Sequence, residues 1–293
     1  MKSKRSGFTI VELLTAVVII SILVSLLVPA LSVVRNIAKE AKQKAQLTTI
    51  DLVLVAFKND YGDYPPSSAK DLSDEDYSGS QKLAEALVGW DLMGFHPDSA
   101  FRSDGKDDDD NEIYPDPLNI SNPDHVTNLK ERKGPYLESS TANAFKLGDL
   151  FGTVTGLEAN TYVLCDSFGV RKITIENPSN KKLVTFKAGT PILYYRANTS
   201  SKDHMTGGDF KKRIYNAEDN KNLTALKSVT PDGTGGNVHP LDDSASNYKA
   251  FYDHITDPKV AISWPYRADS YILISAGADG LYGTEDDITN FGK

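Results

Sequence analysis

Cysteine is almost absent from the 293-residue chain, since Cys165 is its single example. One thiol excludes an intramolecular disulfide framework and a zinc site built from several cysteines. An excess of positive charge is also missing, because 32 Lys and Arg stand against 40 Asp and Glu and the formal net charge is -8. A general nucleic-acid-binding protein needs a basic surface, so we expect no nucleic-acid partner.

Signatures of common catalytic sites are missing as well. The five histidines are scattered singly, and no H-E-x-x-H, G-x-S-x-G, P-loop or G-x-G-x-x-G pattern occurs. Ser67-Ser68-Ala69-Lys70 matches S-x-x-K formally, but the accompanying S-D-N pattern of penicillin-binding enzymes does not follow it. We therefore expect a protein that is not an enzyme. A membrane-anchored hydrolase stays open, because catalytic triads are spatial and need not show in sequence.

The strongest apolar run is confined to the amino terminus. A short basic leader, residues 1–7, precedes it, and Glu12 is the one charge between Phe8 and Val34. The 22 uncharged residues from Leu13 to Val34 are long enough to span a membrane as a helix. A secretory signal peptide cut after Ala30 and a plain signal anchor both fit the length. Neither explains a carboxylate inside the run, where it costs a few kcal/mol.

Residues Gly7 to Glu12 read Gly-Phe-Thr-Ile-Val-Glu. This segment closely resembles the cleavage and methylation motif of type IV prepilins and type II secretion pseudopilins. The resemblance implies that prepilin peptidase cuts between Gly7 and Phe8 and that Phe8 becomes the N-methylated first residue. It also implies that Glu12 serves assembly, where the amine of a neighbouring subunit's Phe8 neutralises it. The alternative is a Glu favoured only by the helix dipole at an amino terminus.

Apolar residues recur at roughly helical spacing beyond the apolar run, between residues 35 and 60. The pattern predicts one helix from Phe8 to about Asp60, with a transmembrane part over 8–34 and an amphipathic part over 35–60. Its second half must cover a sheet, and we expect Leu52, Val55 and Phe57 to pack there.

The remaining chain divides into a loop-rich αβ region, 61–160, and a β-sheet region, 161–293. A short helix is predicted over 81–88, and residues 200–250 form a polar insertion. Strands are predicted at 161–165, 172–175, 182–186, 191–196 and 271–275, where β-rich segments alternate with Gly, Asn and Pro. The fold class is α+β and pilin-like: a long amino-terminal helix packs on a small antiparallel sheet of roughly three to five strands, with loop-rich insertions.

A glycine-rich acidic loop lies near the carboxyl terminus, between Ser275 and Ile288, and carries Asp279, Asp286 and Asp287. It closely resembles the calcium loop of major type II pseudopilins, in which a strand runs into a glycine-rich turn and an Asp pair. We expect these three carboxylates to meet across the turn and to bind calcium, which relieves their mutual repulsion. A solvated acidic turn is the alternative. The other acidic run, 104–112, lacks the spacing of a calcium-binding loop and is expected to be solvated.

These features together predict a structural subunit of a type II secretion pseudopilus, closest to the major, G-type pseudopilins. The resemblance implies a single-pass protein of the bacterial inner membrane with its carboxyl-terminal domain in the periplasm, extracted into a filament. Its partners are other copies and other pilin-like subunits, prepilin peptidase, the inner-membrane assembly platform and the membrane. The alternatives are a type IV pilus subunit or minor pilin, and a signal-anchored periplasmic binding protein or enzyme.

Overall fold

The computed structural model describes residues 9–115, 123–152, 157–176, 180–205, 209–229 and 235–292. Within these ranges the helices are α1 (Ile10–Tyr61), α2 (Gly79–Val88), α3 (Pro123–Glu131), α4 (Ser139–Ala142), α5 (Leu147–Phe151), α6 (Lys221–Thr224) and α7 (Lys249–Ile255). The strands are β1 (Ala144–Lys146), β2 (Tyr162–Leu164), β3 (Arg171–Glu176), β4 (Leu183–Ala188), β5 (Leu193–Arg196), β6 (Tyr271–Ser275) and β7 (Ile288–Thr289). The chain divides into two compact units, Met1–Ala41 and Lys42–Lys293, and the boundary between them lies inside α1.

In the first unit, α1 is apolar and exposed on every side. Its large side chains, from Ile10 to Val34, remain uncovered by the rest of the unit. A helix that is hydrophobic all round is stable only when lipid or other protein surrounds it. Among the helices of the described residues, α1 alone is long enough and apolar enough to cross a membrane.

In the second unit, α1 buries one face. Gln43, Leu47, Ile50, Leu54 and Phe57 are covered, and their spacing of three or four residues places them on one side of the helix. The expectation for Phe57 is confirmed.

The expectation for Leu52 and Val55 is wrong, because these side chains are 68% and 47% exposed. Each lies two residues from a buried position. Two residues correspond to a rotation of about 200° around the helix, so both side chains point away from the covered face.

The predicted α+β class is confirmed, but the strands form three small antiparallel sheets. β5, β6 and β7 form the central sheet in that order, while β1 pairs with β2 and β3 pairs with β4. The central register places Leu193 opposite Ile274 and Tyr195 opposite Ile272. The five predicted strands correspond to β2 to β6. Two short strands, β1 and β7, were not expected, because segments of two or three residues carry too little pattern.

Both faces of the central sheet are buried in apolar side chains. On one face, Tyr194 and Leu273 join a cluster with Ile50 and Leu54 of α1 and Leu83 of α2. On the opposite face, side chains of the same strands pack against the region after β5, through Tyr195, Ile272, Ile274, Tyr215, Phe251, Tyr252 and Ile255.

The described residues between 200 and 250 are more than a polar insertion. Together with α7, they supply the second layer over the sheet, although most of them are polar. Three of their apolar residues, Ile214, Tyr215 and Leu223, belong to the cluster on this face of the sheet, and each is at most 2% exposed.

Helix α2 is buried along its whole length, and it confirms the helix predicted over 81–88. Its first turn is closed by Gln81, whose Oε1 accepts a hydrogen bond from the backbone N–H of Ser78 at 2.8 Å. Lys82 and Glu85 lie on this helix and are 2% and 1% exposed. Charged groups buried to this degree need specific partners.

Candidate functional site

The amino-terminal motif extends beyond the described residues, because Gly7 and Phe8 lie outside them. Within the described part, Thr9 precedes the first turn of α1 and Glu12 is the third helical residue. The backbone N–H and the hydroxyl of Thr9 donate to Oε2 of Glu12 at 2.9 and 2.8 Å. The N–H of Glu12 donates to Oγ1 of Thr9 at 3.3 Å. This reciprocal arrangement is a capping box.

Glu12 therefore has a partner within its own chain. The T-x-x-E spacing is a recognised sign of a helix start, and it identifies Thr9 as a residue that the sequence analysis passed over. Both Thr9 donors converge on Oε2, and among the described residues no donor contacts Oε1. The carboxylate can thus cap α1 and still present one oxygen to a cation from outside the chain.

The carboxyl-terminal loop is closed by Asp286. Its Oδ2 accepts hydrogen bonds from the N–H groups of Ala278 and Asp279 at 2.7 and 3.0 Å, and its Oδ1 accepts from the hydroxyl of Thr284 at 2.6 Å. Burial opposes ionisation of Asp286, but these hydrogen bonds outweigh it and lower the pKa. Gly277 is required here, because its φ is +65° and a Cβ would lie 2.3 Å from the carbonyl oxygen of Asp286.

Asp279 lies beside Asp286, as the sequence predicted. Its Oδ1 accepts from the N–H of Leu281 at 2.8 Å. Partial burial, followed by repulsion from the nearby Asp286 carboxylate, raises the pKa of Asp279. These two of the three predicted ligands therefore meet across the turn.

Asp287 points in another direction. Its Oδ2 accepts from the N–H of Gly283 at 2.8 Å and lies 3.3 Å from Nε2 of His254 on α7. The Asp287 side chain is 1% exposed, and burial raises its pKa to about 7. The neighbouring His254 was not foreseen, because it lies far away in sequence and no local pattern connects the two residues.

The loop does not gather all three carboxylates into one cage. The described ranges hold no cluster of three or more His, Cys, Asp or Glu side chains suited to a metal ion. Asp286 uses both carboxylate oxygens to close the loop, so a calcium ion would draw on Asp279, on shared oxygens of Asp286 and on loop carbonyls. Calcium binding stays a prediction.

A buried polar network around α2 was also missed by the sequence analysis. The hydroxyls of Tyr77 and Tyr114 donate to Glu85 at 2.8 and 3.1 Å, and the hydroxyl of Ser99 donates to it as well. Burial raises the pKa of Glu85 to about 7, although these bonds act in the opposite direction. Sequence pattern alone would place a residue such as Glu85 on the polar, solvent-exposed face of a helix.

Cys165 is fully buried, as expected of a core residue. Burial raises the pKa of its thiol well above the usual value, so the reactive thiolate is disfavoured.

Comparison with protein families identifies the amino terminus. The family model described as "Prokaryotic N-terminal methylation motif" matches residues 2–28, which include Gly7, Phe8 and Glu12. Together with the exposed apolar half of α1, this match marks a type IV pilin-like protein that prepilin peptidase processes. Comparisons with curated proteins and with solved structures give no match.

The calcium prediction can be checked by thermal unfolding of the full-length protein in an uncharged detergent. If the loop binds calcium, a concentration 100 times Kd stabilises the fold by about 2.7 kcal/mol over the chelator control, and magnesium does so much less. Asp279→Asn should abolish this gain, because it removes one ligand charge without opening the loop. Asp109→Asn, in the other acidic run, should retain it. If calcium does not change the Tm of the wild-type protein, the loop is a solvated acidic turn and the calcium prediction is wrong.

The buried Glu85 predicts an unusual dependence of stability on pH. Burial raises the pKa of Glu85 from its ordinary value of 4.5 to about 7 in the folded state, so the folded state binds more protons than the unfolded state between these values. The contribution of Glu85 is therefore full below about pH 4.5 and is lost as the pH rises through 7. It amounts to at most about 3 kcal/mol. Urea unfolding between pH 4.5 and 8 should show a smaller loss in Glu85→Gln than in wild type.

The exposed Glu138 provides the matched control for this measurement. Glu138→Gln should leave the contribution of Glu85 to the pH dependence of the free energy of unfolding in place. Identical pH profiles for Glu85→Gln and wild type would mean that Glu85 titrates in the folded state as it does in the unfolded chain.

Proposed function

We propose that the chain is a structural subunit of a type II secretion pseudopilus. Prepilin peptidase cuts it after Gly7 and methylates Phe8, and the mature subunit polymerises through α1 to drive protein export. The observation that carries this proposal is the direct junction of the prepilin motif with α1, whose first half is apolar and exposed throughout. The motif also favours a structural subunit over an enzyme.

The exposed half of α1 needs two successive environments. Before assembly, the lipid of the inner membrane covers it and the carboxyl-terminal domain lies in the periplasm. After extraction by the inner-membrane assembly platform, the same surface packs against α1 of other copies and of other pilin-like subunits. A segment without charges from Leu13 to Val34 suits both environments, because neither offers water to a polar side chain.

A second surface on α1 supports lateral contact between subunits. Thr48, Leu52 and Val55 are spaced by four and three residues, so they share the side opposite the buried face. All three are exposed, and Leu52 is 68% exposed. Large apolar side chains on an outward helix face are typical of protein interfaces.

Two features favour a pseudopilus over a pilus. The carboxyl-terminal loop with Asp279 and Asp286 resembles that of major type II pseudopilins, while many true pilins close this region with a disulfide. Cys165 is buried and the chain has no second cysteine, so this bond cannot form.

The charge and the capping role of Glu12 can be separated by two variants. Glu12→Gln keeps an acceptor for the Thr9 N–H but removes the charge, whereas Thr9→Val removes the hydroxyl of the capping box and keeps the charge. If the carboxylate pairs with the amine of a neighbouring Phe8, Glu12→Gln enters filaments poorly beside co-expressed wild type, and Thr9→Val enters well. Secretion into the medium should fall in parallel, and intact mass should still report methylated Phe8.

The opposite pattern would assign Glu12 to capping. In that case Thr9→Val assembles poorly and Glu12→Gln assembles like wild type. Loss of surface pili with unchanged secretion would instead assign the subunit to a pilus, and a mature chain beginning at Leu31 or Met1 would contradict the filament function.

The outward face of α1 gives an independent test of polymerisation. Leu52→Asp places a charge on this face and should reduce incorporation into filaments several-fold, while Tm stays within about 1 °C because the side chain is already exposed. Leu72→Asp is the matched control, since Leu72 is 72% exposed but lies outside α1. Equal incorporation of both variants would show that this face does not contact neighbouring subunits.

A further inference from the structure

A cavity of about 540 Å³ opens beside the loop between α1 and α2. Its wall combines Ser68 and Lys70 of this loop with Arg196 at the end of β5 and with residues from 211 to 221. Sites for small organic ligands typically measure ~300–1,000 Å³, so the cavity is large enough for more than an inorganic ion.

Cationic side chains dominate the charge of the wall. Five cations line it, Lys70, Arg196, Lys211, Arg213 and Lys221, against three acidic residues, Asp74, Glu218 and Asp219. Asp219 is buried and already occupied, since it accepts from the hydroxyl of Ser67 at 2.5 Å and from the amide of Asn216 at 2.8 Å. This local excess of positive charge occurs in a chain whose net charge is -8.

Two of the cations form salt bridges with carboxylates that lie outside the cavity wall, and two form no salt bridge among the described residues. Lys70 pairs with Asp76 at 2.9 Å, and Arg196 pairs with Asp63. No carboxylate lies within salt-bridge distance of Lys211 or Lys221 among the described residues. These two ammonium groups therefore supply unneutralised charge at the cavity.

Arg213 gives the cavity a rigid cationic wall. Arg213 is 5% exposed, and its guanidinium carbon lies 4.3 Å from the ring centre of Tyr252 and 4.7 Å from that of Phe210. Contacts with these two aromatic rings restrict the guanidinium, so Arg213 adds a fixed positive charge to the cavity wall.

The neighbouring Ser and Lys side chains are arranged for structure rather than for hydrolysis. Nζ of Lys82 donates to the carbonyl oxygen and hydroxyl of Ser68, both at 2.7 Å, and to the carbonyl oxygen of Lys70 at 2.8 Å. These three acceptors engage all three ammonium protons, so no lone pair is available to act as a base. Lys82 holds the loop that forms one side of the cavity.

We infer that this cavity binds an acidic sugar, a hydroxyl-rich molecule that carries a carboxylate or a sulfate group. The cations match the anionic group, and the side chains of Asn198, Asn216 and Ser68 match sugar hydroxyls because amides and hydroxyls both donate and accept. Two apolar residues, Ala69 and Ile214, line the wall, and it contains no aromatic ring on which a nucleotide base could stack. This site is independent of whether the subunit belongs to a pseudopilus.

The inference can be tested by calorimetry on the full-length protein in an uncharged detergent. The probes are an oligosaccharide of uronic acids, a sulfated oligosaccharide, a neutral oligosaccharide of the same length, inorganic sulfate and an acidic peptide. One or both acidic sugars should bind, and whichever binds more tightly identifies the anionic group. Binding should weaken with salt, because the cavity cations are partly exposed to solvent.

Lys211→Gln and Lys221→Gln should each weaken this binding about tenfold, because each removes a charged hydrogen-bond donor. Lys212→Gln is the matched control, since Lys212 is adjacent in sequence but 81% exposed, paired with Asp209 and outside the cavity. Unchanged melting temperatures will show that all three variants fold.

Several results would overturn the inference. They are the absence of binding by both acidic sugars, equal binding of the neutral oligosaccharide, inorganic sulfate or the acidic peptide, and an equal loss of affinity in Lys212→Gln.

Discussion

The structure of the second unit depends on one constraint: strands β5 and β6 are apolar on both faces and must be covered twice. Every residue of β6 is buried. Strands that lie between two layers read as continuous apolar runs, and here the second half of α1 with α2 forms one layer while the region after β5 forms the other. Without the second layer, Tyr195, Ile272 and Ile274 would face water.

This double covering explains the buried polar groups. Helix α2 lies inside the unit, so its polar side chains cannot reach solvent, and they find partners in the connecting loops instead. Lys82 holds the loop after α1, while Glu85 collects hydroxyl donors from three segments. Such networks specify how the loops lie, because a buried polar atom left without a partner costs about 1–3 kcal/mol. The cavity beside Lys82 is one consequence of this arrangement.

The two halves of α1 differ in what surrounds them. The first half carries the amino-terminal methylation motif and an exposed apolar surface, and Glu12 has a capping partner in its own chain. The second half uses one face to cover the sheet and leaves Leu52 and Val55 outward. Asp51, close to the covered face, accepts from the hydroxyl of Tyr271 and the amide of Asn290 at 2.7 and 2.9 Å, which joins the helix to the carboxyl-terminal strands.

Local pattern was sufficient for much of this protein. The length of α1, the helix over 81–88 and the positions of five strands follow from residue spacing, because each depends on neighbours in sequence. The amino-terminal motif was identified by its resemblance to that of prepilins. The capping box of Thr9 and Glu12 is equally local and was available from the T-x-x-E spacing. The inner packing expected of Leu52 and Val55 was wrong, since a helix with apolar residues on two sides does not reveal which side meets the sheet.

The sequence by itself determined the class of the amino terminus, the α+β composition and the presence of an acidic glycine loop. Tertiary structure alone decided that the region after β5 forms a second layer, that Asp287 turns to His254, and that cations from distant segments share one cavity. The physical reason is the same in each case: these contacts join residues far apart in the chain, and their partners are selected by burial and hydrogen bonding rather than by spacing.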